Sequence, residues 1–396
     1  MYNNTPKSNR LHISFFGKRN VGKSSLINAI TNQSLSVVSD IPGTTTDPVS
    51  KSMELLPLGP IVLVDTAGLD DTGSLGQLRI NKTKEVINKT DLGILVFDAC
   101  STNFEDELKW HNELKEKKIP MIGVINKIDL STDNCNSIKS NFNIPFVELS
   151  AKQKMNISEL KKLIIENAPI DFEMPTILGD IIEPKDKIIL VAPQDIQAPK
   201  GRLILPQVQI IRDILDNDGL ALTVKDTELI DILQSLKEEP SLVITDSQMF
   251  KKVNELIPKH LRLTSFSILM ARYKGDLDLF VKGAKAINSL KPSDNILIAE
   301  ACTHHPLKGD IAREKLPKLL EEKVGGKLNI VNITGLDFPE NLSEYKLIIH
   351  CGSCMFTRRQ LLSRLEHVKN QNIPITNFGV ALAELNGILD RSCSFL

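Results

Sequence analysis

Gly17-Lys18-Arg19-Asn20-Val21-Gly22-Lys23-Ser24 is the stretch on which the reading of this chain turns. It fits the spacing G-x-x-x-x-G-K-S/T, follows the apolar run Leu11–Phe16 and opens the helical pattern Gly22–Thr31. A strand, a glycine-rich turn and a helix amino terminus in that order make a phosphate cradle. The glycines let successive backbone N–H groups wrap an anion, and the helix end adds partial positive charge. Lys23 brings a point charge for the β- and γ-phosphates, and Ser24 a hydroxyl for magnesium. Gly17, Asn20, Val21, Gly22 and Ser25 supply the remainder of the loop's contacts.

Moving outward, each later apolar run ends in a segment that completes a guanine-nucleotide site. Asp65-Thr66-Ala67-Gly68 follows Ile61–Val64, with Asp65 placed to hold magnesium through water and the Gly68 N–H to sense a γ-phosphate. Asn126-Lys127-Ile128-Asp129 follows Met121–Ile125. The Asp129 carboxylate can accept both donors of a guanine edge. Adenine would leave it unpaired at a cost of roughly 1–3 kcal/mol. Ser150-Ala151-Lys152, after Phe146–Leu149, offers backbone to the guanine oxygen. In the polar loop Ser39–Asp47, Thr45 is the expected second magnesium hydroxyl, with Thr44 as its rival. The expected catalytic set is Lys23, Ser24, Thr45, Asp65 and Gly68. Leu69 stands where signalling GTPases carry a glutamine that orients the attacking water. Hydrolysis is therefore expected to be slow.

The same alternation sets the fold expected here. Strands Leu11–Phe16, Ile61–Val64, Gly93–Phe97, Met121–Ile125 and Phe146–Leu149 alternate with helices Gly22–Thr31, Gln77–Lys89, Glu105–Lys117 and Ile157–Glu166. That pattern predicts a doubly wound parallel sheet over residues 1–170. A proline-bearing stretch without periodicity predicts a linker at 171–183. Two smaller α/β domains are expected at 184–262 and 263–396. The first has strands Lys187–Val191, Ala221–Val224 and Leu242–Thr245. The second has strands Phe266–Met270, Asn295–Ala299, Leu328–Val331, Leu347–His350 and Ile373–Asn377.

Composition narrows the function. Across 396 residues the formal charge is −1, with no basic excess of the kind that phosphate backbones attract, so no nucleic-acid partner is expected. No apolar run reaches the 18 or so residues of a membrane span, and the polar start carries no signal-peptide core; a cytoplasmic protein off the membrane is expected. Six cysteines are too sparse for a disulfide framework. Cys100 reads as packing at a strand end, Cys135 as part of a polar loop and Cys393 as part of the tail.

The remaining cysteines gather with histidines. Cys302-Thr303-His304 follows one expected strand and His350-Cys351-Gly352-Ser353-Cys354 another. If both strands run parallel in one sheet, both motifs emerge at its carboxyl edge. From the residues alone three readings stand open: a redox C-x-x-C pair, a zinc site of three cysteines and a histidine, and an iron–sulfur cluster on three thiolates. A tRNA- or ribosome-associated GTPase with structural zinc is the functional alternative.

Asn20, Gly43-Thr44-Thr45 and Leu69 resemble the TrmE-type GTPases, which use potassium in place of an arginine finger. The resemblance implies that Asn20 helps to hold potassium. Taken whole, the chain resembles the HydF family of [FeFe]-hydrogenase maturation GTPases, on the nucleotide motifs together with the C-x-H … H-C-x-x-C set. That resemblance implies a [4Fe–4S] cluster on Cys302, Cys351 and Cys354, with His304 and His350 as candidate fourth ligands. It implies that 184–262 forms a homodimer and that 263–396 binds the cluster. It further implies a scaffold that carries the precursor of the two-iron subcluster, with the radical SAM maturases and the hydrogenase apoprotein as partners and GTP/GDP, Mg2+ and K+ as cofactors.

Overall fold

The computed structural model describes residues 10–31, 49–66, 85–169, 176–193, 203–301, 310–335, 337–353 and 355–396. The chain divides into two compact units, Met1–Glu173 and Met174–Leu396. Thr45, Gly68, Cys302, His304 and Cys354 lie outside the described residues.

In the first unit the described strands are β1 (Leu11–Phe16), β2 (Val49–Leu55), β3 (Gly59–Asp65), β4 (Leu92–Asp98), β5 (Met121–Asn126) and β6 (Phe146–Glu148), in the order β2-β3-β1-β4-β5-β6. All pairs are parallel except β2 with β3. Every residue of β1 is buried, because helices cover both faces and alternate side chains feed two separate cores. Leu11, Ile13 and Phe15 pack with Leu26, Ile27 and Ile30 of the helix Lys23–Thr31 and with Leu160 and Ile164 of the helix Ile157–Asn167. Phe16 packs on the opposite side with Trp110, Leu114 and Ile138. Burying that much apolar surface contributes on the order of 25 cal/mol per Å2. The expected fold class is borne out. The strand β2 was not expected: it is an edge strand whose residues alternate between exposed and half-buried, and its sequence, VSKSMEL, carries little apolar signal.

The second unit holds two four-stranded sheets, both parallel throughout among the described residues. One comprises β7 (Lys187–Val191), β8 (Leu220–Val224), β9 (Leu242–Thr245) and β10 (Leu263–Ser265), in the order β10-β9-β7-β8. The other comprises β11 (Asn295–Glu300), β12 (Asn329–Thr334), β13 (Leu347–His350) and β14 (Ile375–Asn377), in the order β12-β11-β13-β14. One apolar core runs between them, from Ile189 and Val243 to Ile296 and Ile349.

Three expectations are corrected here. Phe266–Met270 is not a strand but the start of a helix, Phe266–Lys274, capped by Ser265, whose hydroxyl accepts the Ile268 N–H at 3.2 Å. A fully buried helix and a fully buried strand both read as apolar runs. Residues 176–182 are not linker: Ile177, Leu178 and Ile182 are buried, and the Asp213 carboxylate accepts the backbone N–H groups of Ile177 and Leu178 at 2.9 and 2.7 Å. The minor cysteines exchange places: Cys100 is exposed and Cys135 is buried at the start of a helix.

Candidate nucleotide site and cysteine loop

The phosphate loop is held from several sides. Lys23 is buried, and its ammonium donates to the carbonyls of Gly17 at 2.6 Å and Lys18 at 2.8 Å. Lys18 donates to the Asn103 carbonyl at 2.6 Å and lies 3.7 Å from the buried Glu107 carboxylate, so the loop is tied to the neighbouring helix. Gly22 has a φ of +97°, and a Cβ there would overlap the side-chain amide of Asn126. Asn20 also takes a left-handed φ of 61°, which asparagine tolerates better than most residues.

Ser24 and Asp65 meet directly: the serine hydroxyl donates to the carboxylate. They come from the helix that follows the loop and from the end of β3, so the two expected magnesium groups share one edge of the sheet. Burial raises the Asp65 pKa, against the lowering effects of Ser24 and Lys23. Magnesium, with its preference for oxygen ligands, suits a hydroxyl and a carboxylate so placed.

The base end is built around Asn126. Its amide donates to the Val21 carbonyl at 2.8 Å and its oxygen accepts the Ala151 N–H at 3.0 Å. Asn126 thus straps the phosphate loop to the Ser150-Ala151-Lys152 turn. Sequence reasoning placed it among the nucleotide contacts and missed this brace. Lys127 donates to Asp98 at 2.6 Å. Burial tends to raise the Asp98 pKa, but the Lys127 and Cys100 contacts prevail and lower it. Asp129 is half-buried, and its carboxylate makes no hydrogen bond among the described residues. Ser150 is buried and accepts the Gln153 N–H at 3.1 Å, while Lys152 is exposed.

In the second unit β11 and β13 are adjacent and parallel, with Ala299 opposite His350. The Cys351 loop therefore leaves the carboxyl edge beside the end of β11. The Cys351 thiol accepts the Ala301 N–H at 3.0 Å and the Ser353 N–H at 3.5 Å. Two N–H donors aimed at one sulfur favour the thiolate, and so fit a cluster or metal ligand.

His350 does not fit that role. It is fully buried, and Arg364 Nη1 lies 2.9 Å from its Nε2. A guanidinium can only donate, so Nε2 accepts and the ring proton sits on Nδ1. Nδ1 lies 3.0 Å from the Cys351 carbonyl and 3.0 Å from the Ser353 hydroxyl. With both nitrogens engaged inside the protein, the expectation of His350 as a candidate fourth ligand is corrected: it braces the loop. Burial, then Arg364, pushes its pKa down to about 4. Arg364 stacks between Phe356 and Phe338, at 4.4 and 4.8 Å from the ring centroids, and donates to the Gly335 carbonyl at 2.7 Å. Among the described residues no group of three His, Cys, Asp or Glu could hold a metal ion, and none of their helices is long and apolar enough to cross a membrane.

The fold and these edges define a P-loop GTPase domain followed by two further α/β sheets. Residues 12–127 match the family model of the 50S ribosome-binding GTPases. Residues 177–275 match the hydrogen maturase F dimerization domain, and 278–395 the hydrogen maturase F tetramerization domain. The chain belongs to the hydrogen maturase F family. The tRNA modification GTPase MnmE of Desulforamulus reducens is 34% identical over 152 residues, covering 37% of this chain and 32% of that protein. GTPase Der of Sulfurimonas denitrificans is 32% identical over 171 residues, covering 40% and 34%. The chain thus spans about a third of the length of the curated relatives it matches. Among solved structures, Aquifex aeolicus Era bound to GDP.AlF4- aligns at 22% identity and TM-score 0.35, over 54% of this chain and 94% of that one. The G domain of the T. maritima FeoB transporter aligns at 26% and 0.32, over 40% and 99%.

Proposed function

We propose that this chain binds and slowly hydrolyses GTP, and serves as an iron–sulfur scaffold that assembles the two-iron subcluster precursor and delivers it to [FeFe]-hydrogenase. The observation that carries this reading is the pair of hydrogen maturase F matches over 177–395, coupled to a P-loop domain in the same chain. In the nucleotide site, Lys23 leaves its carbonyl partners for the β- and γ-phosphates. Ser24 and Thr45 hold magnesium directly and Asp65 holds it through water. Asp129 reads the guanine edge, the Ala151 and Lys152 backbone meets the guanine oxygen, and Gly68 senses the γ-phosphate. Asn20 helps to hold the potassium ion that speeds hydrolysis.

Cys302, Cys351 and Cys354 would hold a [4Fe–4S] cluster, which when bound offers one iron with a replaceable ligand. His304 stays the histidine candidate for that iron, with His350 committed elsewhere. The functional domains run over 1–170, through the middle domain, which dimerises and keeps β10 in its sheet, to the cluster-binding domain that ends at 396. The partners are a second copy, the radical SAM maturases and the apo-hydrogenase, in the cytoplasm. The test is anaerobic purification after co-expression with the maturases, followed by incubation with apo-hydrogenase. About four irons and four sulfides per chain, together with hydrogenase activation, is the expected result. Stoichiometric zinc without sulfide would sink the reading.

A further inference from the structure

We propose that Lys274 is a positioning residue that clamps the cysteine loop and holds a fixed positive charge behind it. The assignment to a cluster rests on the function proposed above; the clamp does not. Lys274 ends the helix Phe266–Lys274 and is fully buried, with 0% relative exposure. Its ammonium donates to the carbonyls of Phe356 at 3.1 Å and Ser353 at 3.3 Å. Those two residues bracket position 354, so one side chain ties down both flanks of the second cysteine of the C-x-x-C. Burying an ammonium is costly unless polar groups compensate it. Its own helix helps, because a cation at a carboxyl-terminal end is favoured by the helix dipole.

The loop reaches the same conclusion from the other side. Ser353 has a left-handed φ of 54°, a conformation that must be held by its surroundings. Its hydroxyl meets His350 and its carbonyl meets Lys274. Turned this way, its N–H lies 3.5 Å from the Cys351 sulfur. Lys274 therefore acts on the sulfur through the loop backbone, and its charge favours whichever state of a thiolate-held group is more negative. Its helix lies within the stretch that matches the dimerization domain, so this contact also ties the loop to the preceding domain.

The experiment uses the full chain and the variants Lys274→Gln and Lys274→Arg. In the apo-protein, hydrogen exchange over residues 350–357 is read first. Lys274→Gln is expected to lose protection there, and Lys274→Arg to keep most of it. After anaerobic reconstitution with iron and sulfide, the cluster midpoint potential is expected to move to a more negative value in Lys274→Gln and to return towards wild type in Lys274→Arg. Iron loss to a chelator should be about 10-fold faster in Lys274→Gln. Wild-type exchange in Lys274→Gln overturns the clamp, and an unchanged potential overturns the electrostatic role. A wild-type protein that takes up no iron and sulfide refutes the scaffold reading instead, and leaves the exchange measurement to judge Lys274.

Discussion

Replacing Asn126 with alanine should weaken nucleotide binding severely, although the brace that is lost lies beneath the ligand. The side chain makes two bonds inside the protein, to the Val21 carbonyl and from the Ala151 N–H, and is itself buried. Truncation leaves one acceptor and one donor without their partner, at about 1–3 kcal/mol each. Part of that loss is recovered by water entering the space, so a total of roughly 2–4 kcal/mol is expected. Without the brace the free loop relaxes, and restoring the binding-competent arrangement on binding costs this amount: at 1.4 kcal/mol per factor of ten, about 30- to 1,000-fold in Kd. The assay is titration of a fluorescent GDP analogue, with thermal melting of the apo-domain alongside. Asn126→Asp is the sharper variant. It keeps the acceptor for Ala151 but sets a carboxylate oxygen against the Val21 carbonyl, so it should bind at least as poorly as the alanine variant. A Kd within about threefold of wild type for Asn126→Ala would refute the bracing argument.

Lys23→Ala should abolish GTP hydrolysis and leave the cluster spectrum intact, read by phosphate release and by absorption of the reconstituted protein; loss of both would break the division of labour between the two units. Exchanging potassium for sodium should slow hydrolysis, and equal rates in the two salts would remove the role given to Asn20. The apo-protein should lose stability on acidification through His350. Its folded pKa, about 4, lies below the ordinary imidazole value of 6.5, so between these values the unfolded chain binds the extra proton. Stability is then constant above about pH 6.5 and falls as pH drops towards 4, by up to about 3 kcal/mol. His350→Gln should flatten that portion of a urea-denaturation pH profile, and an unaltered profile would contradict the assignment.

How far the sequence alone could be read depended on where each residue finds its partner. The strands β1, β3, β4 and β5 were legible because burial on both faces leaves a continuous apolar run, and the phosphate loop because its ligands are consecutive. The strand β2 was not, since an edge strand carrying Lys51 and Glu54 shows no such run. Phe266–Met270 misled because full burial erases the difference between a period of 2 and one of 3.6. Residues 177–182 looked like linker because what orders them is Asp213, 36 residues on from Ile177 and 35 from Leu178. Asn126 illustrates the limit most clearly. Its type and position were readable from the motif, while its partners, 105 and 25 residues away, were not.

The cysteine motif shows how neighbouring residues in one pattern part company in three dimensions. His350 and Cys351 are adjacent in sequence, and from spacing alone both read as ligands. The strand settles them differently. His350 is the last residue of β13 and is turned into the core, where Arg364 meets it. Cys351 is the first residue beyond the strand, where backbone N–H groups from Ala301 and Ser353 converge on its sulfur. A histidine locked in the Nδ1-protonated tautomer can still serve the site, because its proton faces the Cys351 carbonyl and fixes the direction in which the loop departs. Arg364 holds that histidine and Lys274 holds the far side of the same loop. Two cations thus set the conformation of a segment of about six residues, each through a neutral intermediary: one through an imidazole, the other through backbone carbonyls. The described part of the loop is thus held by contacts from two sides, Arg364 through His350 and Lys274 through the Ser353 and Phe356 carbonyls.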